Sequence, residues 1–325
     1  MTSSPSITET KPTSFLETKN PHSRDAYIHF DEGPHKYTIQ GINGVTADTE
    51  FTSVTTVVHH HFEHFDAKKV IDAMMRNQKK WNDPVANAKY YGKTAEEIEE
   101  MWKKAGQDAA AKGTAMHYNI ECFYNTQPPH APDAPDAPDT TDTTDTTDTT
   151  DTRTVSRREG ADPPELEYFK KFHNDFVAGE QANLRPYRTE WTVFHEEAQI
   201  AGSIDMVYED LSASDTPLAI YDWKRCREIA KTNRANKFAT HPAIEHLPDT
   251  NYWHYALQLN IYKYILQTKY DRRVTDLYIV VLHPEAQNYQ RIKLPDLQSE
   301  VAELFEERIQ YFAAAAAATA TAAAK

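Results

Sequence analysis

Leu218-Ala219-Ile220-Tyr221-Asp222-Trp223-Lys224 decides how this chain is read. The run is short, mostly apolar and aromatic, and follows the turn residues Ser212-Ala213-Ser214-Asp215, which is the signature of a buried β-strand. On a strand, residues two apart share a face. Leu218, Ile220, Asp222 and Lys224 therefore line up, with the apolar pair first and the charged pair last. A carboxylate and an ammonium at a strand end suit metal-assisted phosphodiester chemistry. The carboxylate is the hard oxygen ligand that Mg²⁺ prefers. The lysine orients or deprotonates an attacking water, or offsets charge on the phosphate. Asp-x-Lys alone is a weak signal, since most such pairs are surface ion pairs.

Three stretches further out strengthen it. Upstream, Gly202-Ser203-Ile204-Asp205-Met206-Val207-Tyr208 sets Asp205 among apolar residues, where an unpaired carboxylate is costly. A hairpin through the turn at 212–216 brings Asp205 beside Asp222, and two crowded carboxylates call for a cation. The alternative for Asp205 is a loop cap or an arginine partner.

Lys112-Gly113-Thr114-Ala115-Met116-His117 is read as opening a helix. Its glycine permits close backbone approach, and His117 offers a ring nitrogen to a metal. A lone helical histidine is more often structural. Glu121, four residues on, shares its face and serves either as an accessory ligand or as a hydrogen-bond partner. Downstream, Gln258 and Tyr262 lie on one face of an otherwise apolar helix, where Gln258 can hold a carboxylate, the lysine or substrate backbone.

Strands are expected at 189–194, 200–208, 218–224, 277–282 and 289–292. Helices are expected near 66–80, 94–123, 250–268 and 296–312. This is an α/β chain with a mixed central β-sheet flanked by helices.

In order, Gly113-Thr114-x-x-His117, Gly202-x-Ile204-Asp205, Asp222-x-Lys224 and Gln258-x-x-x-Tyr262 resemble the motif series of RecB-like PD-(D/E)XK nucleases. That group includes mitochondrial genome maintenance exonucleases and, more distantly, lambda exonuclease. Ser53-Val54-Thr55 is similar to a segment near the start of such domains. The resemblance covers about residues 27–312. It implies a restriction-endonuclease-like core and a DNA exonuclease active in repair, recombination or replication. It implies His117, Asp205, Asp222 and the backbone carbonyl of Trp223 as ligands of Mg²⁺ or Mn²⁺, with Lys224 catalytic and Gln258 and Tyr262 supporting. Glu190 matches an acidic position of the family. Two cysteines, Cys122 and Cys226, are too few for the four-cysteine iron–sulphur cluster of some members, so none is expected.

A net charge of -14 argues against a nucleic-acid partner at first sight. Half of that excess comes from seven aspartates, Asp133 to Asp151, in a Pro/Asp/Thr tract without Lys or Arg. Beside the proposed site, Arg225, Arg227, Lys231, Arg234 and Lys237 form the best phosphate-tracking candidate, with a plain basic loop as the alternative. The expected partner is DNA, single-stranded or with free ends.

The domain is read as residues 26–312, preceded by a disordered lead over 1–25, interrupted by a low-complexity insertion over 128–160, and followed by an Ala-rich tail over 313–325. No apolar run approaches a membrane span. An intracellular location is expected, cytoplasmic or nuclear, with the mitochondrion left open. A structure- or sequence-specific endonuclease on the same fold, or an inactive nucleic-acid-binding module, are the competing readings.

Overall fold

The computed structural model describes residues 15–126 and 162–323. The expected insertion over 128–160 and the first fourteen residues of the expected lead lie outside the described residues.

The elements run α1 (Phe15–Lys19), β1 (Ile28–Asp31), β2 (Lys36–Ile39), β3 (Thr52–Ser53), α2 (Val54–His60), α3 (Ala67–Arg76), α4 (Gln78–Trp81), α5 (Ala95–Thr126), α6 (Pro164–His173), β4 (Leu184–His195), β5 (Ile200–Asp210), β6 (Leu218–Lys224), α7 (Asn251–Lys269), β7 (Val274–Val281), β8 (Gln290–Lys293) and α8 (Gln298–Ala323). β1 and β2 form a separate hairpin. The other six strands make one mixed sheet: β4–β5, β5–β6 and β7–β8 are antiparallel, and β3–β5 and β6–β7 are parallel.

Helices cover both faces. Val54, Val57 and Val58 of α2, Leu257 and Ile261 of α7 and Val301 and Phe305 of α8 pack with Leu218 and Ile220. Met116 and Ile120 of α5 and Phe169 and Phe172 of α6 pack with Ala219, Tyr221 and Trp223. The two-residue period of β6 thus divides its side chains between two hydrophobic layers, as a strand buried on both faces requires.

β5 organises the site. β4 runs along the whole of one edge. The other edge is shared: β3 takes Ile200 and Ala201, and β6 takes Met206 to Glu209. Residues 202–205 lie in the gap between them, without a strand neighbour on that side among the described residues.

Two expectations need correction. Residues 15–25 are not a flexible lead. Leu16 is buried, and Asn20 Nδ2 donates to the Tyr187 carbonyl at 2.8 Å. Arg188, 3% exposed, obliges a counter-charge nearby, and Asp25 supplies it at 2.7 Å while also accepting from Trp191 Nε1 at 3.0 Å. A polar composition here reflects satisfaction of a buried arginine. Second, the Gly113–His117 stretch does not open a helix. It lies inside the 32-residue α5, and a side chain at Gly113 would meet nothing within 4 Å. The Ala-rich tail continues α8 to Ala323, exposed from Ala313 to Thr319. Among the described residues no helix is long and apolar enough to cross a membrane.

Candidate active site

The strand register puts three acids in one row of the sheet. The β4–β5 ladder pairs Thr189 with Met206 and Trp191 with Ile204, which sets Glu190 opposite Asp205. The β5–β6 ladder ends at Met206 and Tyr221, so Asp205 stands opposite Asp222 one step further on. Instead of continuing the ladder, Asp205 Oδ2 accepts the backbone N–H of Trp223 at 2.9 Å. Glu190 has φ +43°, left-handed backbone that costs a non-glycine residue about 1–3 kcal/mol and is held only where the surroundings enforce it. Ser203 Oγ donates to Glu190 Oε2 at 2.9 Å and anchors that conformation.

His117 reaches the row from α5. Its Nδ1 lies 3.5 Å from Asp205 Oδ2 and 3.9 Å from Glu190 Oε1. Its Nε2 is 2.9 Å from the Trp223 carbonyl. Ligand atoms of His117, Glu190 and Asp205 all lie within 4.8 Å of one another, close enough to share one ion. Asp222 is outside that triad. It is 3% exposed, and its Oδ2 is ion-paired with the Lys224 ammonium.

The electrostatics follow from this crowding. Burial, then Asp205, pushes Glu190 up to about 7. Burial pushes Asp222 up to about 6 against the pull of Lys224. Burial opposes charge on His117 and Lys224 as well, yet Asp205 raises the first, and Asp222 with Asp205 raises the second. Like charges in register destabilise a sheet unless something offsets them. A compact His/Glu/Asp triad on a strained backbone, with the buried Asp222 carboxylate beside it, fits a divalent cation with oxygen and imidazole ligands.

Lys224 Nζ sits 4.8 Å from the centroid of the Tyr255 ring, a cation–π contact that fixes the amine from the α7 side. Tyr262 is buried, with the Gln258 side chain beside it. It packs on Gly202, where any Cβ would stand 2.8 Å from its hydroxyl. Glu121 is near enough to Glu190 to contribute to its upward shift.

The structure therefore brings together His117, Glu190, Asp205, Asp222, Lys224 and the Trp223 carbonyl, with Glu121, Gln258 and Tyr262 around them. Sequence reasoning missed Ser203, Tyr255 and the buried Tyr37, which is near enough to Glu190 for that carboxylate to raise it further. Ser203 lay inside a stretch already singled out, and a hydroxyl between Gly202 and Asp205 was its only signal.

The basic residues after β6 are dispersed along an irregular segment. Arg225 is ion-paired with Glu165, Arg227 with Glu285 at 2.8 Å, and Lys237 with Glu63 at 2.7 Å. Lys231 stacks over Tyr252 at 4.6 Å, and Arg234 is exposed.

The family model of the PD-(D/E)XK nuclease superfamily matches residues 86–325. No curated protein sequence matches the chain.

Proposed function

Since the chain belongs to the PD-(D/E)XK nuclease superfamily, we propose that it is a RecB-like DNA exonuclease using Mg²⁺ or Mn²⁺, with a role in repair, recombination or replication. The observation that carries this reading is the row Glu190–Asp205–Asp222, met by His117 from α5 and closed by Lys224.

His117, Asp205, Asp222 and the Trp223 carbonyl would hold the cation, with Glu190 as a further ligand beside His117. When bound, it polarises a phosphoryl oxygen and makes water a competent nucleophile. Lys224, fixed between Asp222 and the Tyr255 ring, presents an ammonium that orients the attacking water and offsets charge on the phosphorane-like transition state. Tyr262, beside Gln258 and seated on Gly202, stiffens the floor of the gap in the sheet beneath Asp205. Glu121, one turn beyond His117 on α5, adds a further carboxylate near Glu190.

A preference for free ends finds support in the walls. The segment after β6 is tied to the α2–α3 junction by Lys237–Glu63 and by the Thr240 N–H donating to the His61 carbonyl at 2.8 Å. Phe65 in that junction lies against Trp102 of α5, ring centroids 6.0 Å apart. These contacts join the segment after β6 to the α2–α3 junction and to the N-terminal half of α5, an arrangement that fits a strand presented end-first. Lys231 and Arg234, exposed and without an ion pair among the described residues, are the basic residues of this segment left to track phosphates.

The test is digestion of linear and closed-circular, single- and double-stranded DNA with Mg²⁺, with Mn²⁺ and with EDTA. Degradation of linear single strands that needs the metal and spares circles is expected. Cutting of circles would make the enzyme an endonuclease, and no cutting of any substrate with either metal would leave a binding module.

A further inference from the structure

Residues 67–93, which hold α3, α4 and the turns before α5, carry seven Lys and Arg against Asp72 and Asp83, in a chain of net charge -14. None of them takes part in the chemistry described above. Two of the seven are answered locally: Lys69 pairs with Glu63 at 3.6 Å, and Lys68 lies within reach of Glu96 at the start of α5. Arg76, Lys79, Lys80, Lys89 and Lys93 form no ion pair among the described residues, and all but Lys93 are exposed. A positive unit on an acidic chain gathers polyanions at that one place.

The same unit presents aromatic rings. Phe65, just ahead of α3, is 72% exposed, and its ring centroid lies 6.0 Å from that of Trp102 on α5. Trp102 is held in place, because its Nε1 donates to the Tyr90 hydroxyl at 2.9 Å. Lys89 Nζ stands 5.2 Å from the centroid of the Tyr90 ring. Asn87, 8% exposed, ties this cluster to α4: its Nδ2 donates to the Trp81 carbonyl at 3.0 Å, and its carbonyl accepts the Tyr90 N–H at 2.9 Å. Anchored rings open to solvent, set among unpaired cations, match what a single strand offers. Each base has a face to stack, and the cations take the phosphates. A duplex keeps those faces hidden.

The cluster is remote from the catalytic row. Trp102 and His117 lie on one continuous helix, about 22 Å apart along its axis. Between them, residues 103–112 are exposed on every side. A helix that buries nothing over such a length bridges two units instead of building a core.

We propose that the Phe65–Trp102–Tyr90 cluster and the basic residues around α4 form a second binding surface for single-stranded DNA, away from the scissile bond. The inference rests on the nuclease reading for its ligand and deepens it. The surface raises affinity for the strand and leaves the chemical step to the acid row.

The experiment is fluorescence anisotropy of labelled oligo(dT) and of a duplex of equal length, in EDTA across a salt series. Without a cation the acid row repels phosphate, so binding reports on the remote surface. The wild type is expected to bind the single strand more tightly than the duplex. Phe65→Ala is expected to weaken that binding on the order of tenfold, the loss of one stacked base. Lys79→Ala/Lys80→Ala is expected to flatten the slope of log affinity against log salt by about 1.4. With Mg²⁺ or Mn²⁺, both variants should raise KM on a long single strand with kcat kept. Variants that bind and digest oligo(dT) like wild type, or a wild type that binds duplex as tightly or binds neither, overturn the surface and leave the nuclease standing. Binding as expected without hydrolysis under any metal condition overturns the nuclease and keeps the surface.

Discussion

Asp205 and Asp222 stand opposite one another one step beyond the last paired residues of β5 and β6, Met206 and Tyr221. The ladder stops there because Asp205 turns its carboxylate to the Trp223 amide, so a side chain replaces the backbone acceptor. With Glu190 on the far side of Asp205, three acids cross three neighbouring strands at the point where the sheet opens. Such a row is a poor way to stabilise a sheet and a good way to hold a cation.

Lys224→Ala is expected to abolish hydrolysis, a loss of at least about a thousandfold as for other preorganised electrostatic groups. The fold and cation binding should persist, although Tm falls because the buried Asp222 loses its counter-charge. Activity close to wild type would remove Lys224 from the mechanism.

Glu190→Gln should separate stability from function. Burial and Asp205 make an ionised Glu190 unfavourable in the metal-free protein. Its neutral isostere is expected to raise Tm in EDTA at pH 8, where the wild-type carboxyl is charged, and to weaken cation binding about tenfold or more. Calorimetric titration with Mn²⁺ and a melting curve check the two halves independently.

Gly202 is fixed by its neighbours. An alanine there would put Cβ 2.8 Å from Tyr262 Cε1 and 2.9 Å from Val54 Cγ2. Overpacking of this kind costs about 1–3 kcal/mol, a drop of several degrees in Tm. Because Tyr262 must move, kcat should fall together with Tm, and a variant that melts lower with unchanged kcat would separate Tyr262 from the site.

Acid sensitivity should have a component outside the active site. Burial, then Lys269, holds His195 down to about 4, and burial with His241 does the same for His61. Below the ordinary imidazole value of 6.5 the unfolded chain takes up these protons and the folded chain does not. Their contribution is therefore complete above pH 6.5 and is lost as pH falls towards 4. Urea midpoints between pH 7.5 and 4.5 should decline less steeply in His195→Asn, which keeps an acceptor for the Ala198 N–H.

Much of the fold was legible because β6 obeys a strict two-residue alternation and because α7 is apolar around most of its circumference. The long α5 was harder. Its Gly113 marks a helix start by ordinary rules, but the alanines of 109–111 carry the helix straight through, and only tertiary context decides. The short α1 has one buried anchor, Leu16, and no periodicity to detect. At the site, residues that act by type and spacing, such as Asp222 and Lys224, stood out. Tyr37 and Tyr255 did not, since an aromatic ring against a carboxylate or an amine looks like any core tyrosine until the fold brings them together. The pairing of Arg225 with Glu165 spans sixty residues and has no local trace.

The most direct test is the position of the cation itself. Crystals soaked in Mn²⁺ and measured at the manganese absorption edge should show an anomalous peak within about 2.0–2.6 Å of ligand atoms drawn from His117, Glu190, Asp205 and Asp222. Clear density for these side chains without a peak among them, or a peak bound only elsewhere on the molecule, would contradict a metal-dependent hydrolase built on this row.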